Sequence, residues 1–155
     1  MSDLQDRTLH YYRQQQSQPG WFDLLSLMIN GMLRNAGEQE SHAFLQQMGE
    51  DLATRYPLGA ARTVADLEAQ INQVLARFNW GFVDLAPRET SLLICHHALP
   101  SGDGQMAAQK WHQALGAVLT GLYARWLRDQ GGSQAVPMLC EATDSEATLN
   151  FRYQM

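Results

Sequence analysis

The chain has 155 residues, of which 45% are hydrophobic and only 17% charged, with a net charge of −5. That length suits one domain burying roughly 70% of the surface its unfolded chain exposes, with no need of disulfides or metals to hold it. Ten of the eleven basic residues are Arg and the eleventh is Lys110, and without a basic cluster to neutralise phosphates a nucleic-acid partner is excluded.

Charged residues fall below the roughly 25% of an average soluble domain, and 16 glutamines carry much of the polar duty. Such a surface suits a protein that buries part of itself against copies of itself, because interface cores are depleted in Lys and Glu. Residues 1–20 contain Asp3 and Asp6, a QQQ triplet and the pair Pro19-Gly20. They read as an arm that is flexible or only partly helical and ordered by a partner. The arm has no apolar run of the roughly 7–15 residues a secretory signal needs, and no segment approaches the ~18 apolar residues of a membrane span. The expectation is therefore cytoplasmic residence. Tyr11, Tyr12, Arg13 and Gln14 in the arm are candidate contact residues, since sugars are held by stacked rings and by amide and guanidinium hydrogen bonds.

A single domain is expected over 21–155. From Trp21 the spacing turns helical, with Trp21, Leu24, Leu25, Met28 and Met32 on one face. Leu27, Ile29 and Leu33 spread apolar character around the rest, so this helix is central or lies between its own core and a neighbour. Phe44, Leu45, Met48, Leu52 and Tyr56 form a second register that Pro57 and Gly59 end. Val64, Leu67, Ile71, Val74, Leu75 and Phe78 then mark an amphipathic helix capped by Thr63 with Asp66 three residues on. That helix meets Asn79-Trp80-Gly81, where Asn79 can stop it in a left-handed conformation, and the pattern switches to strand alternation through Phe82 and Asp84.

A turn at 86–89 and the run TSLLICHHAL complete a hairpin. PSGDG is a loop. A long helix follows, with Trp111, Leu115, Val118, Leu122 and Trp126 in one stripe widened by Leu119 and Tyr123, and Gly131-Gly132 closes it. The segment from Ala135 reads as a second hairpin about a TDSE turn, with Met138, Cys140, Leu149, Phe151 and Tyr153 inward. The fold class is thus α+β: N-terminal helices and two antiparallel hairpins forming one sheet, with the long helix between the hairpins.

Few of these residues carry chemistry. Cys95 and His97 share a strand face opposite His96, but a metal site would need further ligands and His10, His42, His112 and Cys140 are scattered. The two cysteines read as buried, reduced thiols. Asp84 and Glu89 flank the first hairpin and read as a solvated turn, and no glycine loop cradles phosphate. No enzyme, metal or cofactor is expected. Trp80, Trp111, Tyr123 and Trp126 lie on apolar stripes and read as core.

The run INQVLARFNWGFVDL, then ICHHALP, then LGAVLTGLYARWL resembles the D-subunit family of bacterial cellulose synthase. The matching elements are Asn79, Trp80, Gly81 and Phe82 with Val83, and Gly121, Tyr123, Arg125 and Trp126 in the GLYARW step. The resemblance implies a non-catalytic accessory protein that assembles as a homo-octamer, a tetramer of dimers. It further implies partnership with the cellulose synthase complex and other cellulose biosynthesis accessory proteins, and contact between the N-terminal arm and β-1,4-glucan chains that the oligomer helps to extrude, align and bundle into crystalline arrays. A cytoplasmic scaffold beneath the inner membrane fits the absence of a visible signal; direct handling of extruded glucan would require the periplasm. The C-terminal helix and hairpin also resemble, more loosely, small-molecule-sensing domains of the vinyl-reductase type.

Overall fold

The computed structural model describes residues 2–16, 18–132, 137–143 and 145–154. Four helices, α1 (Ser2–Gln16), α2 (Trp21–Arg55), α3 (Val64–Phe78) and α4 (Ala108–Asp129), accompany four strands, β1 (Phe82–Pro87), β2 (Ser91–His97), β3 (Met138–Ala142) and β4 (Leu149–Gln154). The strands form one antiparallel sheet in the order β1-β2-β4-β3, with Phe82 opposite His97, Cys95 opposite Asn150 and Cys140 opposite Phe151. This is the α+β arrangement expected. Ala135, Val136 and Asp144, included in the second hairpin expected from sequence, lie outside the described residues.

Alternation puts Val83, Leu85, Leu92, Ile94, Leu149, Phe151 and Tyr153 on the buried face. Against it lies α4, whose Tyr123 ring meets Phe151 edge-on at 5.2 Å. On the other side of α4 runs α2. The two helices touch backbone to backbone because a Cβ at Gly49 would stand 1.8 Å from the Val118 carbonyl oxygen, and one at Gly121 1.8 Å from that of Gln46. Only glycine permits that approach. α4 is consequently buried toward both neighbours, and Trp126 at its far end donates Nε1–H to the Tyr56 carbonyl that terminates α2 (2.9 Å).

The free edge of β1 is closed by α3. Val83 N–H donates to Asn72 Oδ1 (2.7 Å), Asn72 Nδ2 donates to Val83 O (3.1 Å), and Leu85 N–H donates to Glu68 Oε2 (2.8 Å). These side chains imitate a neighbouring strand and block edge pairing. Thr63 caps α3 as expected, accepting from Asp66 N–H (3.0 Å), while the Asp66 carboxylate accepts from Arg62 N–H.

Two expectations are corrected. α2 consists of two helical segments joined at Gly37, whose φ of 82° and ψ of 172° are non-helical, as the two registers expected, but its inward row is Ser26, Ile29, Ser41, Leu45, Gly49 and Ala53. Trp21, Leu24, Leu25, Leu27 and Met28 face outward, as do Phe44 and Met48. Beyond Gly37 the close crossing at Gly49 selects small residues for the inward row, in which Leu45 of the expected register remains. Within the arm over 1–20, read as flexible or only partly helical, residues 2–16 form α1. The cysteines are free but not deeply buried: Cys95 is half-buried on the outer sheet face and Cys140 sits on the outer strand β3.

Candidate functional site

The helix-to-strand corner at 79–82 is closely packed. Asn79 ends α3 in the left-handed conformation (φ 59°, ψ 44°). Trp80 packs its ring edge-on against Phe78 at 4.9 Å, and Phe78 packs likewise on Tyr56 at 4.9 Å. Gly81 (φ 91°) lies so close to β2 that a Cβ would fall 2.0 Å from the His97 carbonyl oxygen. Phe82 then emerges 47% exposed with its ring 5.2 Å from that of His97.

His96 locks this corner to α4. Its Nε2 lies 2.6 Å from the Trp80 carbonyl oxygen and its Nδ1 2.5 Å from the Tyr123 hydroxyl. A carbonyl can only accept, so Nε2 carries the proton and Tyr123 donates to Nδ1. Burial lowers the His96 pKa to about 4 against the opposing effect of the bond to Trp80, so the ring is neutral at pH 7. The two sequence signatures thus meet in one chain of contacts: Trp80 from the first, Tyr123 from the second, His96 between them. Gly121 makes the helix crossing, Trp126 caps α2, and Arg125 pairs with Asp129 on the surface (3.0 Å).

The last turn of α1 docks on this corner. Gln16 Nε2 donates to Ala98 O (2.7 Å), Arg13 Nε donates to Leu99 O (3.3 Å), and Asn79 Nδ2 donates to Gln15 O (3.3 Å). Ala98 and Asn79 are the two non-glycine residues at positive φ among those described. Strain collects at such positions where surrounding contacts hold it. Toward its N-terminus α1 stands away from the body and leaves a cleft of about 630 Å³ lined by Leu4, Thr8, Tyr12, Gln15 and Gln16 on one side and Ala76, Asn79, Gly81, Phe82 and Ala98 on the other. No Asp, Glu, Lys, Arg or His lines it. Gln16 is 6% exposed and its Oε1 has no partner.

Of the contact residues expected in the arm, Tyr12 lines this cleft, Tyr11 packs edge-on against Tyr12 at 5.6 Å on the outer side, Arg13 is a tether, and Gln14 is exposed. Asn79, Gly81 and Phe82 join them; Gly121, Tyr123, Arg125 and Trp126 lie elsewhere. Gln15, Gln16 and the Ala98-Leu99 carbonyls escaped the sequence reading, and only the QQQ triplet signalled them. On the outer sheet face His97 pairs with Asp84 (3.1 Å). Among the described residues no group of three or more His, Cys, Asp or Glu could hold a metal ion, and no helix is long and apolar enough to cross a membrane.

An α+β chain whose two signatures meet through His96, beside the α1 cleft, is matched by known relatives. The family of cellulose synthase D subunits matches residues 7–154. Cellulose synthase operon protein D of Komagataeibacter xylinus is 32% identical over 114 residues, covering 72% of this chain and 71% of that protein, and the protein of the same name from Komagataeibacter sucrofermentans matches equally. The chain belongs to the D-subunit family of cellulose synthase, and its role is in cellulose biosynthesis.

Proposed function

We propose that this chain is a non-catalytic accessory component of the cellulose synthase complex, an oligomeric scaffold that holds β-1,4-glucan chains or the complexes making them in fixed relative geometry. Chains that emerge side by side can meet before they coil, which favours extrusion in register and crystalline bundling. The supporting observation is the α1 cleft. A glucan chain is uncharged, with apolar ring faces and a rim of hydroxyls. The cleft offers the rings of Tyr12 and Phe82, the amides of Gln15, Gln16 and Asn79, and no Asp, Glu, Lys, Arg or His. The unpartnered Gln16 Oε1 supplies a buried acceptor for a hydroxyl.

Assembly has its own support in the outward face of α2, where Trp21 is 73% exposed and Leu27 66%. Apolar surface of this kind marks a contact site. A homo-octamer built as a tetramer of dimers, held in the cytoplasm beneath the inner membrane together with the synthase complex and other cellulose biosynthesis accessory proteins, is the arrangement we favour.

The deciding experiment is a calorimetric titration of the purified protein with soluble β-1,4-glucose oligomers. We expect saturable binding that Phe82→Ala weakens about tenfold or more without changing the melting temperature. Undiminished binding to that variant would place the glucan elsewhere, and no binding by the parent would leave an assembly role alone.

A further inference from the structure

We propose that a second cleft, between α2 and α4 and separate from the one under α1, is a binding site for a small uncharged, hydroxyl-rich molecule of monosaccharide or disaccharide size. The proposal stands on its own residues and does not depend on the glucan reading. On the N-terminal side of the Gly49–Gly121 crossing a space of about 410 Å³ opens between the two helices and reaches β3 and β4, within the roughly 300–1,000 Å³ of small-ligand sites. It shares no residue with the α1 cleft.

Gly116 keeps its floor low. A Cβ there would press to 3.2 Å from Cys140 Sγ and 3.5 Å from Leu149 Cδ1, so any larger residue would intrude on the space where helix and strands meet. Leu149 and Ala117 provide an apolar base. Around it converge His42, Gln46, Gln109, His112, Gln113 and Thr120.

His112 is the informative member. Its ring lines the cleft, and Nε2 is buried without a partner. Burial holds the ring below its ordinary pKa. A buried ring nitrogen left without a partner, whether it carries the proton or the lone pair, costs free energy. A hydroxyl, which can both donate and accept, satisfies it in either case.

The three carboxamides each donate and accept, as every hydroxyl of a sugar does. Thr120 already donates to Gly116 O (2.7 Å) and so offers a further acceptor. No Lys or Arg lines this cleft and Glu38 is its one carboxylate, which disfavours phosphates, nucleotides and other anions. The remaining class is a neutral polyol. It can come from two sources, a free sugar or the end of a saccharide chain.

The test follows the His112 imidazole resonances by NMR while the full chain is titrated with D-glucose, cellobiose, a longer β-1,4-glucose oligomer and, for contrast, inorganic phosphate. We expect a saturable shift with one or more of the sugars and none with phosphate. Glucose and cellobiose acting alone identify a free-sugar site, and the longer oligomer acting as well identifies a chain-end site. His112→Leu should weaken binding, read by calorimetry, about tenfold, and Phe82→Ala in the other cleft should leave it unchanged. Gln113→Ala carries the same expectation if His112→Leu fails to fold. A silent His112 signal with every sugar, an equal response to phosphate, or sugar binding that neither variant weakens would overturn the proposal.

Discussion

His96 is neutral and buried in the folded chain, with a pKa lowered from 6.5 to about 4. In the unfolded chain the same ring titrates near 6.5. Between these values the unfolded state binds more protons, so the stability due to this residue is full above pH 6.5 and lost progressively as pH falls toward 4, by roughly 3 kcal/mol in all. Chemical denaturation at pH 7.5 and at pH 4.5 should show the loss, and His96→Leu should flatten it while lowering stability at pH 7.5, because the Trp80 carbonyl and the Tyr123 hydroxyl would lose their shared partner. A parent protein equally stable at both pH values would show that the ring is solvated. The order of effects matters for function as well. The ring fixes the carbonyl of Trp80, and Trp80 sits between Asn79 and Gly81, both of which line the α1 cleft.

At the scale of elements, the crossing of α2 and α4 depends on two glycines with opposite partners. Gly121→Ala would force its methyl into the Gln46 carbonyl, and backbone cannot rotate away as a side chain would. We expect a loss of roughly 3 kcal/mol, measured by denaturant unfolding. Gly131→Ala, where a Cβ would meet nothing within 4 Å, is strained only by its positive φ and should cost about 1 kcal/mol. Equal losses would mean that the crossing is not close. This same crossing explains what the sequence could reveal. α3 was legible because its signals are local: Thr63 and Asp66 at one end, Asn79 at the other, a clean apolar face between. The stripe of α4 was legible because it is made of large residues, though only the structure explains why Gly121 stands within it. The inward row of α2 was missed because Ser41, Gly49 and Ala53 do not read as apolar, while the large residues beside them point away from this core. α1 was least legible. Its docking rests on three side-chain bonds to positions more than sixty residues away, and no local pattern encodes them. The cleft inherits that limit: Asn79, Gly81 and Phe82 stood out in the sequence, but their pairing with Gln15 and Gln16 is a tertiary fact.

For the whole molecule the open question is what covers α2. Trp21, Leu24, Leu25, Leu27 and Met28 share the first half of one helix, and leaving five such side chains in water forgoes the burial free energy of roughly 1.5–3 kcal/mol that each gains when fully enclosed. A second copy of the chain can enclose them without desolvating many charges, since Asp23 is the only ionisable residue between Trp21 and Leu33. Replacing Leu27 and Met28 together by Glu places two carboxylates on that face while leaving the inward row of Ser26 and Ile29 intact. Light scattering coupled to size exclusion should then show the parent as a particle of eight chains and the double variant as a smaller species, with the same helical circular dichroism. A monomeric parent would remove the scaffold and leave the clefts as the functional surface. An octamer that survives both charges would move the contact between copies off this helix, and the exposed Phe44 and Met48 face would be the next to substitute.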